Sequence, residues 1–289
     1  MKANLYALGA VALWASLATL GVSLRHLPPF LLTGLALLIG SALAWPSAII
    51  DHRQWRIAPR TLMLGAGTLF GYHFLLFIAL RLAPAVEVNL VNYLWPLLIV
   101  VLSPWYLPGI KLRSVHVVAA MLGFVGAAVA ILGARETLGT ATSDAAWTQP
   151  LGYLLALGSA LLWANYSLQT KRAELTGNSF PTTAVGLFGL VAGLLSLLCH
   201  WALEPSVRPT GQDWLLLACL GLGPLGAAFF LWDQALKLGD VRQVGVLSYL
   251  TPLVSTVLLM LVTARPLDGS IALAATLIIG AAVLGTRRR

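Results

Sequence analysis

The sequence predicts an all-helical integral membrane protein, with ten transmembrane helices arranged as two inverted five-helix repeats. Three observations predict this fold class. Of the 289 residues, 59% are hydrophobic and only 10% are charged, whereas soluble domains carry about 25% charged residues. The apolar residues form ten long runs, and parts of the first half of the chain recur in the second half. This composition excludes a disordered chain, a secreted disulfide scaffold and an ordinary soluble enzyme.

Each apolar run has about the 20 residues that a spanning helix needs. In order, the runs cover residues 4–24, 29–50, 61–80, 84–107, 114–134, 150–170, 182–203, 213–235, 241–263 and 268–286. We expect helices because a helix satisfies its own backbone hydrogen bonds inside a bilayer, and the alternation typical of barrel strands is missing. The longest linker, residues 135–149, is predicted to be periplasmic and leaves no room for a soluble domain.

The lysine and arginine residues predict the orientation of the helices. With a cytoplasmic N-terminus, 13 of the 18 basic residues fall in cytoplasmic segments and five in periplasmic loops. The cytoplasmic group comprises Lys2, Arg53, Arg56, Arg60, Lys111, Arg113, Lys171, Arg172, Lys237, Arg242, Arg287, Arg288 and Arg289, and the periplasmic group comprises Arg25, Arg81, Arg135, Arg208 and Arg265. Because cytoplasmic loops are enriched in these residues, both termini are predicted to be cytoplasmic. The net charge of +8 is therefore explained by topology, and no nucleic-acid partner is expected.

Two internal matches relate the halves of the chain. Residues 6–16 (YALGAVALWAS) align with 155–165 (LALGSALLWAN), and residues 79–97 align with 235–253. These alignments pair Trp14 with Trp163, Tyr93 with Tyr249 and Pro96 with Pro252. They define a first repeat at 1–134 and a second at 150–289. Because five helices per repeat is an odd number, the copies must cross the membrane in opposite senses, which is typical of secondary transporters with a central substrate site.

Two sets of motifs carry a family resemblance. The two inverted copies, each opening with Leu-Gly…Leu-Trp-Ala, resemble the EamA-like branch of the drug/metabolite transporter superfamily over essentially the whole chain. The runs Gly71-Tyr72-His73-Phe74 and Asn-Leu-Val-Asn-Tyr-Leu-Trp-Pro at 89–96 resemble the YddG-type aromatic amino acid exporters of bacterial inner membranes. The resemblance implies a multi-pass protein of that membrane with an amino acid as its substrate.

Aromatic residues near the centres of the first and sixth helices are candidates for the substrate site. Tryptophan favours the membrane interface, so Trp14 and Trp163 at mid-depth need another reason, either a cavity or internal packing. Tyr166 shares a helical face with Trp163, together with Ser159 and Thr170. We predict that the two aromatic residues line a cavity and that the two hydroxyls hydrogen-bond between helices.

The third helix carries Tyr72 and His73 near its middle. An embedded histidine is a functional candidate by default. His73 is predicted to contact the substrate or to carry a proton, and a purely structural histidine remains the alternative.

The fourth and ninth helices carry the remaining candidates. Asn89, Asn92 and Trp95 recur every three residues beside Tyr93, and all four are predicted to bind the substrate, as is Tyr249 on the ninth helix. Pro96 and Pro252 each remove a backbone N–H near mid-span. The two prolines are predicted to bend these helices as gates, or to free backbone groups for the substrate.

The remaining charges separate the candidate functions. Glu87 and Asp233 are expected to be wetted helix ends rather than ion sites, with Trp232 at the interface. The first helix has no Asp or Glu, which argues against proton-coupled antiport of cationic drugs. We therefore predict an exporter of aromatic and other neutral amino acids that works by alternating access. Export of lipophilic drugs or other small metabolites is the alternative.

Other classes of protein lack support in the sequence. An enzyme would need a nucleophile–base pair or a His/Asp/Glu cluster within a span, and no such motif is present. No cofactor or metal is expected, and Cys199 and Cys219 are predicted to be free thiols. The substrate range, proton coupling and oligomeric state are left open.

Overall fold

The computed structural model describes residues 1–133, 148–262 and 269–286, and within these ranges it contains helices and no strand. Nine helical segments there are long and apolar enough to cross a membrane, and the tenth is a shorter apolar helix. The segments are α1 (Lys2–Ala15 and Leu17–Ser23), α2 (Pro29–Ser41, continued by Ala42–Ala44 and Trp45–Ile50), α3 (Pro59–Leu82), α4 (Ala85–Asn92 and Trp95–Tyr106), α5 (Ser114–Gly133), α6 (Gln149–Leu175), α7 (Ala184–Leu203), α8 (Gly211–Leu222, Gly223–Ala227 and Ala228–Leu238), α9 (Val241–Leu247 and Leu250–Val262) and α10 (Gly269–Thr286).

These bounds agree closely with the predicted runs. The main difference is α6, which continues five residues beyond the predicted end at residue 170 and so includes the charged residues Lys171, Arg172 and Glu174. The predicted periplasmic linker, residues 135–149, lies almost entirely outside the described residues.

Proline lies at the interruptions of α4, α8 and α9. In α4 the helix breaks after Asn92, four residues before Pro96, and in α9 it breaks after Leu247, just ahead of Pro252. A proline ring clashes with the carbonyl four residues earlier and offers no N–H, which explains both breaks. In α8, Pro224 lies in a π-helical turn, Gly223–Ala227, and such turns free backbone carbonyls from the regular ladder.

Glycine residues allow several helices to approach each other closely. A Cβ atom added to Gly40 on α2 would lie 2.7 Å from the Gly221 carbonyl oxygen on α8, and one added to Gly126 on α5 would lie 2.7 Å from Cγ1 of Ile278 on α10. Small residues at such crossings are the usual basis of helix association in membranes.

The helices pack in pairs that draw on both halves of the chain. These pairs include α2 with α7, α5 with α10, α3 with α6, α1 with α8, α4 with α6, α2 with α8, α3 with α7, and α1 with α9. A central cavity lies among α1, α3, α4, α6, α8 and α9.

Candidate functional site

The central cavity has a volume of about 370 Å³ and contains most of the residues predicted from the sequence. Nine of the twelve predicted site residues line it, namely Trp14, Tyr72, His73, Asn89, Asn92, Tyr93, Trp95, Trp163 and Pro252. They come from α1, α3, α4, α6 and α9, so the fold brings together side chains that are up to 238 positions apart in the chain.

Three predicted residues are not among the lining residues. Tyr166 lies behind Trp163, with ring centroids 5.6 Å apart. Tyr249 is fully buried and packs on α5, where a Cβ atom at Gly123 would lie 3.0 Å from its Cγ. The carbonyl of Pro96 faces Gly245 on α9, so this proline lies at the contact between the two broken helices.

Several lining residues were not predicted from the sequence. They are Leu17, Leu76, Ile131, Leu225, Phe229, Thr251, Ser255 and Thr256. Thr251, Ser255 and Thr256 follow the α9 break at helical spacing. This polar stripe on both sides of Pro252 could have indicated a cavity-facing surface of α9. The apolar residues carry no such signal, because Leu and Phe occur on every face of these helices.

Aromatic rings form one end of the cavity. The Trp14 ring centroid lies 5.9 Å from that of Trp163, 6.5 Å from Trp95 and 6.0 Å from Phe229. Trp232 completes the cluster at 5.3 Å from Trp14. The expectation that Trp232 lies at the membrane interface is wrong, since its side chain is fully buried and its N–H bonds inside the protein. Edge-to-face packing of this kind gives a rigid apolar surface.

The four tryptophans of this cluster differ in their hydrogen bonding. Trp14 donates from Nε1 to the Pro224 carbonyl oxygen over 3.1 Å, an acceptor in the π-helical turn of α8. Trp232 donates to the Ser167 hydroxyl oxygen over 3.2 Å. Among the described residues, no acceptor is found for the indole N–H of Trp95 or Trp163. Because indole nitrogen only donates, these two groups are available to a ligand.

Polar side chains from α3 and α4 form the wall next to these rings, since the Tyr72 ring centroid lies 5.6 Å from that of Trp163. Asn92 donates from Nδ2 to the Tyr72 hydroxyl oxygen over 3.0 Å. Ser159 on α6 donates to Asn92 Oδ1 over 2.9 Å, so the interhelical role predicted for this serine is confirmed. His73 Nδ1 lies 2.7 Å from the Leu69 carbonyl oxygen. Because a carbonyl oxygen only accepts, Nδ1 carries a proton, and in the neutral form of the ring Nε2 is then the acceptor.

The cavity lining contains no Asp, Glu, Lys or Arg among the described residues. Charged groups do occur near the end of α8. Asp233 is completely buried, and its Oδ2 lies 2.7 Å from Lys237 Nζ and 2.5 Å from the Thr182 hydroxyl that donates to it. The expectation that Asp233 is a wetted helix end is therefore wrong. It is paired because an uncompensated buried charge is very costly.

Comparison with known proteins identifies the family of this chain. The EamA-like transporter family model matches residues 1–132 and 150–287. The chain belongs to the EamA-like transporter family. It is therefore a multi-pass membrane transporter and not an enzyme.

This EamA-like transporter is similar to proteins of three bacteria. The aromatic amino acid exporter YddG of Ancylobacter novellus is 41% identical over 99% of this chain and 97% of its own length. Proteins of the same name from Salmonella typhimurium and Escherichia coli are 31% and 28% identical, and each covers at least 98% of both chains. A protein of known crystal structure is 41% identical, with a TM-score of 0.88 over 99% of this chain and 98% of its own.

Proposed function

We propose that this transporter exports aromatic and other neutral amino acids across the bacterial inner membrane, with the central cavity as its substrate site. The relatives named aromatic amino acid exporters support this assignment, because they align over nearly their full lengths. In this proposal the nine lining residues predicted from the sequence contact the substrate or its path. Tyr166 and Tyr249 support the lining from behind.

The chemistry of the cavity lining is the observation that carries the proposal. One part of the lining presents the rings of Trp14, Trp95, Trp163 and Phe229, and the adjoining part presents amide and hydroxyl groups, with no fixed charge on either among the described residues. An amino acid zwitterion is net neutral, so it needs hydrogen bonds rather than a single counter-ion. The volume of about 370 Å³ falls in the range of small-molecule pockets. A lipophilic drug would use only the aromatic side of this cavity.

The architecture that we propose is ten transmembrane helices in two inverted repeats, residues 1–134 and 150–289, with α10 as the tenth span. The helix pairs support it, since exchanging α1–α5 for α6–α10 turns α3–α6 into α8–α1 and α4–α6 into α9–α1, and all four pairs occur. The family model also matches the two halves separately. The breaks at aligned positions of α4 and α9 also support two equivalent halves.

Alternating access fits the position of the cavity along the helices. On α1, α3 and α9 the lining residues fall in the second half of the helix, whereas on α4 they fall in the first half. With both termini in the cytoplasm, these parts all lie towards the periplasm. On α6 and α8 the lining residues Trp163, Leu225 and Phe229 lie near or just beyond the middle of the helix. The cavity then extends from mid-depth towards the periplasm, and bending of α4 and α9 at Pro96 and Pro252 would expose it to the cytoplasm.

Counterflow in proteoliposomes tests the proposed function. Purified protein is loaded with unlabelled amino acid, and uptake of labelled L-tryptophan is measured against a panel of all common amino acids at two pH values. We expect exchange of the aromatic and other neutral members, and at least a tenfold loss in Trp163→Ala. Trp201→Ala is the matched control, since Trp201 is 85% exposed on the outer surface of α7.

Two results would contradict the proposal. One is the absence of amino acid exchange by folded wild-type protein, particularly if lipophilic cations are transported instead. The other is equal exchange by Trp163→Ala and wild type, which would remove the cavity from the transport path.

A further inference from the structure

Three side chains form a hydrogen-bonded chain that runs from a helix contact to the cavity. Ser159 on α6 is fully buried, and its hydroxyl lies 2.9 Å from Asn92 Oδ1 on α4 and 2.8 Å from its own helix carbonyl at Ala156. Asn92 is 5% exposed, and its Nδ2 lies 3.0 Å from the hydroxyl oxygen of Tyr72 on α3. Asn92 and Tyr72 line the cavity, whereas Ser159 is not among the lining residues.

The donors and acceptors in this chain have a direction. An amide oxygen only accepts and an amide nitrogen only donates. The single proton of the Ser159 hydroxyl is shared between the amide oxygen of Asn92 and the carbonyl oxygen of Ala156. Because the amide oxygen of Asn92 faces Ser159, its amide nitrogen is turned towards Tyr72. The Tyr72 oxygen therefore accepts, and the proton of its own hydroxyl is left to donate to a group in the cavity.

Two indole N–H groups next to Tyr72 are also hydrogen-bond donors. The Tyr72 ring centroid lies 5.6 Å from that of Trp163, and the two Trp95 and Trp163 rings are 6.4 Å apart. Neither indole N–H has an acceptor among the described residues. The Tyr72 hydroxyl and the two indole N–H groups are therefore three neighbouring donors for which the described residues provide no acceptor. A set of donors in an apolar surrounding favours an anionic oxygen group, since hydrogen bonds to charged groups are the stronger ones.

We propose that Tyr72 donates its hydroxyl proton to the α-carboxylate of the transported amino acid, and that Asn92 and Ser159 set the direction of this hydrogen bond. The proposal rests on the proposed function and specifies which part of the substrate is recognised at which residue. In this account Tyr72 contacts the substrate, and Ser159 is a positioning residue that acts through Asn92. The ammonium group then faces acceptors elsewhere on the wall, such as His73 Nε2.

The aligned positions of the other repeat lack this chain. Ala10 aligns with Ser159 and Ser248 with Asn92, and the Ser248 hydroxyl donates to the Gly245 carbonyl of its own helix over 2.6 Å. Among the described residues, this directed chain of hydrogen bonds therefore occurs on the α3–α4 side of the cavity and not at the aligned positions of α9, and the asymmetry orients the substrate.

Ser159→Ala tests the proposal, because it removes one buried hydroxyl that does not touch the cavity. In proteoliposome counterflow of labelled L-phenylalanine, two unlabelled competitors are compared, L-phenylalanine and phenylethylamine, which lacks the carboxylate. We expect the apparent affinity for L-phenylalanine to fall about tenfold, the size of one hydrogen bond to a charged group. The apparent affinity for phenylethylamine should change less than about twofold. Ser103→Ala is the control, since Ser103 is also fully buried and bonds the carbonyl three residues earlier on its own helix.

A second variant and a third competitor keep the test decisive. Tyr72→Phe should show the same selective loss, and 3-phenylpropionate, which lacks the ammonium group, should lose affinity in both variants. Equal losses for all three competitors would overturn the proposal, as would no loss at all. A loss confined to phenylethylamine would show that Tyr72 accepts from the ammonium group instead. If wild type exchanges no amino acid, the proposed function itself fails, which is a different result from unaltered selectivity in an active variant.

Discussion

Residues 79–97 and 235–253 align with each other, and the structure shows how far this likeness extends. Both segments run from the end of one helix through a short turn into a helix that breaks ahead of a proline, Pro96 or Pro252. The side chains differ sharply. On α4, Asn89, Asn92, Tyr93 and Trp95 line the cavity, whereas the first lining residue on α9 is Thr251.

The difference shows that the two aligned segments resemble each other more in backbone geometry than in side-chain chemistry. A bend near the middle of both helices is needed in any mechanism that moves the two halves alternately. Hydrogen-bonding groups need to be present only where the substrate meets the wall. We expect substitutions on α4 to change substrate binding, and the aligned substitutions on α9 to have smaller or different effects.

The largest difference is expected between Trp95 and its aligned partner Thr251. Trp95→Ala removes ring contacts to Trp14 and Trp232, at 6.5 and 5.4 Å, and should lower the free energy of unfolding by about 4 kcal/mol and abolish exchange. Thr251 has a buried hydroxyl with no described hydrogen-bond partner, so Thr251→Ala should cost about 1 kcal/mol or less. Thermal unfolding in detergent and counterflow measure both, and equal effects would contradict the comparison.

The second-largest difference is expected in the free energy of unfolding when the aligned basic residues Arg81 and Lys237 are replaced. The Lys237 side chain is 9% exposed and paired with the buried Asp233, whereas Arg81 is 46% exposed in its pair with Glu204. Lys237→Ala leaves the Asp233 carboxylate without its cation, which costs about 3 kcal/mol or more. Arg81→Ala should cost about 1 kcal/mol or less, because the arginine is partly exposed and the buried Glu204 keeps its bonds from two backbone N–H groups at the start of α2.

Melting temperatures of the two single variants and of the double variant Asp233→Asn with Lys237→Met check this prediction. The double variant should recover part of the loss, because it leaves no buried charge. A single Lys237→Ala variant as stable as wild type would show that the pair is not buried in the membrane-embedded protein.

The two aligned tyrosines should differ in transport. Tyr93 lines the cavity, so Tyr93→Phe is expected to reduce the apparent affinity for L-tryptophan about fivefold through loss of one hydrogen bond. Tyr249 lies against Gly123 on α5, and Tyr249→Phe should change the affinity less than twofold. Counterflow at several substrate concentrations separates the two, and a larger effect of Tyr249→Phe would reverse the roles assigned to α4 and α9.

The smallest effect is expected where the two broken helices begin. Asp240 begins α9 as a cap, accepting from the Arg242 backbone N–H, whereas the aligned residue of α4 is Pro84. Burial opposes ionisation of Asp240, but hydrogen bonds from Arg242 outweigh it and hold the pKa of Asp240 below its ordinary value. Asp240→Asn should therefore cost roughly 1 kcal/mol at pH 7.

The pH dependence of this cost follows from the sign of the pKa shift. A carboxylate with a lowered pKa stabilises the fold above the unfolded value of about 3.9 and loses this effect as the pH falls through the folded value. The melting temperatures of wild type and Asp240→Asn should converge on acidification below about pH 4. A constant difference down to pH 3 would contradict the assignment.

The sequence predicted the helices well because long apolar runs are a strong signal in a membrane protein. It also predicted most of the cavity residues, since polar and aromatic side chains at mid-depth are costly and therefore informative. The prediction that Trp232 and Asp233 lie at a solvent-exposed helix end was wrong for a physical reason. A residue near a helix end is exposed only if no other helix covers it, and here the segment before α7 covers Asp233 through Thr182.

The alignment of the halves does not determine which aligned side chain faces the cavity. Tyr249 aligns with Tyr93, yet Tyr93 lines the cavity and Tyr249 packs against Gly123 on α5. Phe229 and the leucines of the cavity became visible only in three dimensions, because their contribution depends on which face of the helix turns inwards.

Protection of an engineered cysteine by substrate tests the central claim most directly, namely that the amino acid occupies the cavity at α4. In a background with Cys199→Ala and Cys219→Ala, Asn89→Cys is exposed to a membrane-impermeant maleimide from the outside, with and without L-tryptophan. Arg208→Cys, at an exposed loop position, is the control for reagent access. The account predicts that L-tryptophan slows labelling at position 89 severalfold and leaves labelling at position 208 unchanged. Equal labelling at position 89 with and without L-tryptophan, in protein that still exchanges it, would contradict the account.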